Sequence, residues 1–174
     1  MRLFTAIEIP QEIRANLSDL IQELRPLAKL RWSPAENLHI TAKFIGEWPE
    51  SRLRELVLQL QRISRPGPIP IAVRRLAWIN RRILHADIEA PPALAALASA
   101  TEAALEQIGI KKEDREYHPH LTLARNPNRI PISALERAIE KHALDDFGAF
   151  TAAQFVLFLS KGGKYTPLKE FPID

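Results

Sequence analysis

Tyr117-His118-Pro119-His120-Leu121-Thr122-Leu123-Ala124-Arg125 is the stretch that decides how this chain is read. Its core is His-x-Thr, at His120 and Thr122, inside an apolar, β-prone run. A second stretch, Asn37-Leu38-His39-Ile40-Thr41-Ala42-Lys43-Phe44, repeats the pattern at His39 and Thr41. Residues i and i+2 of a strand project from one face, roughly 6.5–7 Å apart. Each pair therefore presents an imidazole and a hydroxyl side by side. On regular alternation His39, Thr41 and Lys43 share one face of the first strand, opposite Ile40, Ala42 and Phe44. In the second, His118, His120, Thr122 and Ala124 lie opposite Pro119, Leu121 and Leu123. The apolar faces suit packing on helices, and the polar faces are left to line a groove.

Working outward, residues 2–9 read as a strand ending at Pro10. Ile13, Leu17, Leu20, Ile21 and Leu24 recur at helical spacing up to Pro26. A short extended segment, Leu30 to Pro34, leads into the first His-x-Thr strand at about 37–45. Leu53, Leu56, Val57, Leu60 and Ile63 mark a second helix, and Arg65-Pro66-Gly67-Pro68 a connector between halves. Strands are expected at about 69–78 and 82–89, with a turn near Asn80 and Arg81. A helix then carries Leu94, Leu97, Ala98, Thr101, Leu105 and Ile108, with Gly109 as its end cap. After the second His-x-Thr strand, Ser133-x-x-Glu136 is a capping-box pattern opening a helix with Leu135, Ala138 and Ile139. Gln154–Ser160 reads as an apolar strand, then a Gly162-Gly163 turn and an extended tail from Lys164 to Ile173. The order predicts an α+β fold. It has two pseudo-symmetric lobes whose antiparallel sheets line a central groove, with helices on the outside, and residues 1–174 form one bilobal domain.

Composition narrows the function classes. Of 174 residues, 46% are hydrophobic and 26% charged, as in folded soluble domains. No run of apolar residues is long enough for a transmembrane helix, and Met1 to Glu8 lacks the apolar stretch of a signal peptide, so a cytoplasmic protein without membrane association is expected. The absence of cysteine excludes disulfides, thiolate metal sites and a cysteine nucleophile. A net charge of +3 is compatible with an anionic partner without requiring one.

Two imidazoles with ordinary pKa values near 6.5 can serve as one general base and one general acid, each contributing roughly 10²–10⁴-fold. Two threonine hydroxyls can donate to non-bridging oxygens whose charge grows in the transition state. A phosphodiester fits this layout, with an entering oxygen, an in-line leaving oxygen and two equatorial oxygens. No carboxylate cluster, glycine-rich phosphate loop or Cys/His metal pattern competes for the role.

His39-Ile40-Thr41-Ala42 and His120-Leu121-Thr122-Leu123 resemble the paired HxTx motifs of the two-histidine (2H) phosphoesterase superfamily. More narrowly, the chain looks like the bacterial and archaeal RNA 2′,3′-cyclic phosphodiesterases, once called 2′-5′ RNA ligases. The resemblance includes Arg2 to Ile7, Trp32 to Gly46, His118 to Arg125, Leu157 to Ser160, and then Gly163 and Tyr165. Ala42 stands where the family often has leucine. The resemblance implies hydrolysis of an RNA 2′,3′-cyclic phosphate to a 2′-phosphomonoester by a monomer, without metal or other cofactor. His39 then acts as proton donor to the leaving 3′-oxygen, His120 as the proton acceptor that activates water, and Thr41 and Thr122 as their partners. RNA with 2′,3′-cyclic phosphate ends is the implied partner, tRNA fragments being one source, and microscopic reversibility extends the chemistry to 2′-5′ ligation. The rival readings are a non-catalytic RNA-binding module and a phosphodiesterase for small cyclic nucleotides.

Further residues divide between site and scaffold. Arg125, five positions after His120, matches a family arginine associated with the bound phosphate or nucleotide. Regular alternation turns it away, so that role requires a bulge near Ala124; otherwise it is a surface ion pair. Phe4 and Tyr165 are candidate walls for stacking a base, Phe4 being equally suited to the core, and Lys43 would continue the site face. Arg74, Arg75, Arg81 and Arg82 bracket the hairpin as RNA contacts or as charges on a solvated edge strand. His118 with His39 and His120 makes a three-nitrogen metal site conceivable, against a structural role. His85 and His142 look incidental, His142 continuing the apolar face of its helix.

Overall fold

The computed structural model describes residues 1–174. Its chain order is β1 (Arg2–Glu8), α1 (Gln11–Leu24), β2 (Arg31–Trp32), β3 (His39–Glu47), α2 (Leu53–Gln61), β4 (Ile69–Ile79), β5 (Ile83–Glu89), α3 (Pro92–Glu106), β6 (His120–Arg125), α4 (Ser133–Lys141), β7 (Asp146–Ala152), β8 (Gln154–Lys161) and β9 (Lys164–Pro172). The strands form two antiparallel sheets, ordered β3-β1-β8-β9 and β2-β6-β5-β4-β7.

The sheets do not follow the two halves of the chain. β8 and β9, from the end of the sequence, complete the first sheet through the β1–β8 pairing. β2, from the first half, pairs with β6 in the second sheet. The helices reach across as well: α1 leaves β1 yet lies against β7, and α3 leaves β5 yet lies against β3 and α2. Local chemistry sets most element boundaries. Pro92 opens α3 at a position where no amide donor is needed. Gly109, at φ +91°, ends the turn as the Ile110 amide donates to the Leu105 carbonyl (3.1 Å). Asn80 and Arg81, both at positive φ, are the central residues of the β4–β5 turn, closed by the Arg82 amide donating to the Ile79 carbonyl.

Two expectations fail locally. The capping box does not form: Ser133 is already the first helical residue, and Glu136 bonds Arg81 instead (3.1 Å). β7 has no counterpart among the strands expected from sequence, because Asp146 and Gly148 are poor strand formers. Its place is set by tertiary contact. Gly148, at φ +122°, lets Ile13 of α1 pack so closely that an added Cβ would lie 2.9 Å from Ile13 Cγ1.

One main cluster of 38 buried side chains joins the helices to one face of each sheet. A second, small cluster of Phe4, Ala6, Val156 and Phe158 covers the other face of β1 and β8. That small cluster is the floor of the site.

Candidate active site

His39 and Thr41 sit on β3, His120 and Thr122 on β6, and these two strands adjoin although they belong to different sheets. The Tyr117 hydroxyl ties the two arms, donating to the Thr41 carbonyl (3.0 Å). Both histidines are locked in the same way. His39 Nδ1 bonds the Asn37 carbonyl (2.6 Å) and His120 Nδ1 bonds the His118 carbonyl (2.8 Å). Nδ1 therefore carries the proton in each neutral ring, and Nε2 is the nitrogen left to accept or deliver one. His39 Nε2 meets Thr41 Oγ1 at 2.9 Å.

The loop before β3 is braced from two sides. Arg14 donates to the Ala35 and Leu38 carbonyls (2.6 and 3.2 Å), and the Asn37 side-chain amide donates to the Gly163 carbonyl (2.8 Å) in the β8–β9 turn. The hairpin that carries Tyr165 is thereby fixed to the segment that positions His39. On the other arm, the Ser33 hydroxyl donates to the Thr122 carbonyl (3.0 Å).

Regular alternation breaks at the same point in both arms. Thr41 and Lys43 pair with the consecutive residues Ala6 and Thr5, leaving Ala42 as an extra residue. Thr122 and Ala124 pair with His85 and Leu84, leaving Leu123 as an extra residue. Each is a β-bulge, and it reverses the facing of the residues directly after it, Lys43 and Phe44 on β3 and Ala124 and Arg125 on β6; a second register shift follows Phe44 on β3. Lys43 consequently does not reach the groove. It is 3% exposed, and its ammonium bonds Glu102 of α3 (2.8 Å) and the Lys111 carbonyl (3.0 Å), with Glu113 at 3.7 Å. Phe44, expected on the packing face, is instead 54% exposed on the groove side, 6.3 Å from Phe4 between ring centroids. On β6 the bulge turns Arg125 to the face of His120. Its charge acts on both histidines, and it has no carboxylate within ion-pair distance.

A pocket of about 270 Å³ opens beside His39, lined by Arg2, Phe4, Phe44, Gly46, Ser160 and Tyr165 among others. Phe4 is only 4% exposed; it lies 4.8 Å from His39 and stacks on Phe158, so it supports the histidine rather than offering a free face. Tyr165 packs edge-on against His39 at 5.2 Å. Arg2, Arg14, Phe44 and Tyr117 were not legible as site residues in the sequence, since each depends on a bulge or a long-range contact. Arg2, Phe44 and Tyr117 lay within the motif stretches, but nothing local gave them a role.

Burial pushes the His39 pKa down to about 4, aided by the Arg14, Arg125 and His120 charges against the weaker pull of the Asn37 carbonyl. Burial also lowers His120, with His85, Arg125 and His118 acting in the same sense. Both shifts favour the neutral rings, against the expectation of one neutral and one charged ring. An arriving phosphate anion reverses that bias, because an adjacent negative charge favours the protonated ring.

His118 is exposed, and no three His, Cys, Asp or Glu side chains are grouped to hold a metal ion. β4 is an interior strand, not an edge; its Arg74 and Arg75 pair with carboxylates of their own sheet, and Arg82 pairs with none. Arg74 pairs with Glu89 and Asp146, Arg75 with Glu89 (2.9 Å) and more loosely with Asp87 (3.7 Å), and Arg81 with Glu136 of α4.

The model of the LigT-like phosphoesterases matches residues 7–83 and 87–168. The chain belongs to this family. Within it, the RNA 2′,3′-cyclic phosphodiesterase of Methanocaldococcus jannaschii is 33% identical over 98% of this chain and 100% of its own. The Escherichia coli RNA 2′,3′-cyclic phosphodiesterase is 28% identical over 99% of this chain and 96% of its own. The crystal structure of E. coli LigT complexed with 3′-AMP superposes with a TM-score of 0.79 at 26% identity, covering 99% of this chain and 97% of that one. A second phosphoesterase crystal structure reaches 0.81 at 25% identity with the same coverage. The LigT-like α+β architecture of two antiparallel sheets is thus shared along the whole chain. No helix is long and apolar enough to cross a membrane.

Proposed function

We propose that this LigT-like phosphoesterase hydrolyses RNA 2′,3′-cyclic phosphate ends to 2′-phosphomonoesters with His39 and His120 as the acid–base pair. The observation that carries this reading is the duplicated lock on the imidazoles. In both arms a backbone carbonyl two residues upstream holds Nδ1–H, leaving Nε2 for proton transfer. Two relatives of the full chain length that bear the name RNA 2′,3′-cyclic phosphodiesterase support the substrate class.

In the proposed reaction His120 Nε2 takes a proton from water as its oxygen attacks phosphorus. His39 Nε2, charged once the phosphate anion has bound, gives its proton to the departing 3′-oxygen. The P–O3′ bond breaks, the phosphate stays on the 2′-oxygen, and both rings regain their starting charge when protons exchange with solvent. Thr41 and Thr122 donate to the equatorial oxygens, where developing charge makes such bonds stronger than in the ground state. Arg125 holds the phosphate, while Phe44 and Tyr165 flank the terminal nucleoside and Arg2 neutralises charge at the rim. Phe4 stays beneath His39 as its support. Residues 1–174 act as one bilobal unit, as a cytoplasmic monomer, on RNA ends such as those of tRNA fragments. The same displacement with a 5′-hydroxyl in place of water opens the cyclic phosphate at P–O3′ and leaves a 2′-5′ linkage.

The test is product analysis. An oligonucleotide ending in a 2′,3′-cyclic phosphate and the corresponding cyclic mononucleotides are incubated with the protein, with and without EDTA. A 2′-phosphate formed at an EDTA-independent rate is expected, faster on the oligonucleotide. A 3′-phosphate product would overturn the assigned polarity, and turnover of cyclic mononucleotides alone would overturn the RNA substrate.

A further inference from the structure

The family motifs account for two histidines, and a third sits beside them. His85 lies on β5, where the register sets His85 opposite Thr122 and Asp87 opposite His120. All four side chains therefore share the groove-side face of the second sheet. His85 is 3% exposed, and its Nε2 bonds Asp87 Oδ1 at 2.9 Å. With Nε2–H donated to the carboxylate, Nδ1 remains an acceptor, and this buried atom has no hydrogen-bond partner. Leaving a buried polar atom unpaired is costly, and a carbon edge would fill the same space without that cost. The His85 ring meets the His120 ring edge-on, with centroids 5.5 Å apart and planes at 76°.

The two arms differ in how firmly their histidines are held. His39 is bonded at both nitrogens, to Asn37 and Thr41, and is flanked by Phe4 and Tyr165. His120 is bonded at Nδ1 alone. A ring hinged at one nitrogen can still swing about its side-chain torsions, and the wall that stops it is His85.

We propose that Asp87 and His85 form a positioning dyad for His120: the carboxylate fixes the His85 imidazole, whose ring fixes the plane of His120 so that Nε2 stays aimed at the reacting phosphate. The dyad takes no proton from substrate. Around it stand Arg75 of β4, 3.7 Å from Asp87, the exposed His118 just before β6, and Arg125 on β6, so basic groups surround the Asp87 carboxylate. This inference rests on His120 being part of the acid–base pair.

The experiment compares steady-state kinetics on a cyclic-phosphate-ended oligonucleotide with ring NMR signals of His120, using the full chain throughout. His85→Ala is expected to lower kcat roughly 3- to 10-fold, the rate equivalent of one aromatic edge contact, with KM within about twofold. His85→Phe, which keeps an aromatic edge and removes the unpaired nitrogen, restores kcat. The His120 ring signals shift in His85→Ala and return toward their native positions in His85→Phe.

Unchanged kcat and His120 signals in His85→Ala overturn the proposal. So does a loss that His85→Phe fails to restore while both variants melt at the native temperature. Should His85→Ala not fold, Asp87→Ala supplies the reading. It lowers kcat when His85 is present and is silent in the His85→Phe background, and silence in both backgrounds overturns the dyad. His120→Ala separates the two levels: activity retained there defeats the two-histidine reading itself, whereas activity lost there with inert His85 variants defeats only the dyad.

Discussion

Phe44 and Arg125 are counterparts: each lies five residues after its groove histidine and is turned to the groove by a bulge directly after the threonine. The two arms thus share a backbone device and differ in what it delivers, an aromatic ring on one side and a guanidinium on the other. Phe44→Ala should raise KM for the oligonucleotide roughly 5- to 100-fold, the range expected for losing one base–aromatic stack, with little change in kcat. Arg125→Gln should lower kcat/KM roughly 10- to 100-fold through loss of a charge-assisted bond. Steady-state kinetics on one oligonucleotide read both. Matching changes in the two variants would contradict the division of labour.

The pH profile is governed by the depressed histidines. kcat/KM reports the free protein, where productive binding needs one neutral and one charged ring. Burial lowers both rings below their ordinary value, His39 to about 4. The optimum of kcat/KM should therefore lie on the acid side of about pH 6.5, the ordinary histidine value. The kcat profile, which reports the complex, should be displaced to higher pH because the bound phosphate anion raises both rings. A kcat/KM optimum on the alkaline side of about pH 7.5 would contradict the burial of these rings.

Lys43 predicts a stability effect without a catalytic one. Its ammonium and the Glu102 carboxylate are both largely withdrawn from water, at 2% and 13% side-chain exposure. Lys43→Ala strands the carboxylate and should destabilise the fold by about 3–5 kcal/mol. Methionine at the same position with Glu102→Gln should recover much of that loss. Chemical denaturation measures both, and the kcat of the folded fraction should be native.

His142 ends α4 between Asp145 (2.6 Å) and Glu23 of α1 (3.0 Å). Partial burial works against its charge, yet these two carboxylates outweigh it and raise its pKa above the ordinary value. A raised histidine contributes most below about pH 6.5, and the contribution disappears as pH rises through the folded-state pKa. His142→Ala should thus lose about 0.3–1 kcal/mol near pH 5.5 and close to nothing near pH 9. Denaturation curves at the two pH values check it; an equal loss at both would assign His142 a packing role alone.

Much of this architecture was legible because its signals are local. The His-x-Thr strands, the Gly109 helix end, the Asn80-Arg81 turn and the Gly162-Gly163 turn each arise from a few adjacent residues. What escaped depends on pairing. Residue parity after Thr41 and Thr122 cannot be read from alternation, since an extra residue shows itself only against its partner strand; Lys43 and Phe44 exchange faces for that reason. β7 exists because α1 and β4 receive it, not because Asp146 and Gly148 favour strands. His85 looked incidental since nothing in the sequence says that β5 lies beside β6.

The β1–β8 pairing also bears on the order in which the molecule can assemble. Leu3 pairs with Leu159, and Phe4 with Phe158, so the floor beneath His39 needs segments from opposite ends of the described chain. During synthesis β1 and β3 would wait, with an open edge on β1, until β8 emerges. Contacts of such long sequence separation slow folding and leave strand edges free to pair wrongly. A released chain truncated before residue 154 should therefore hold the His120 arm in a formable state while the His39 arm stays incomplete.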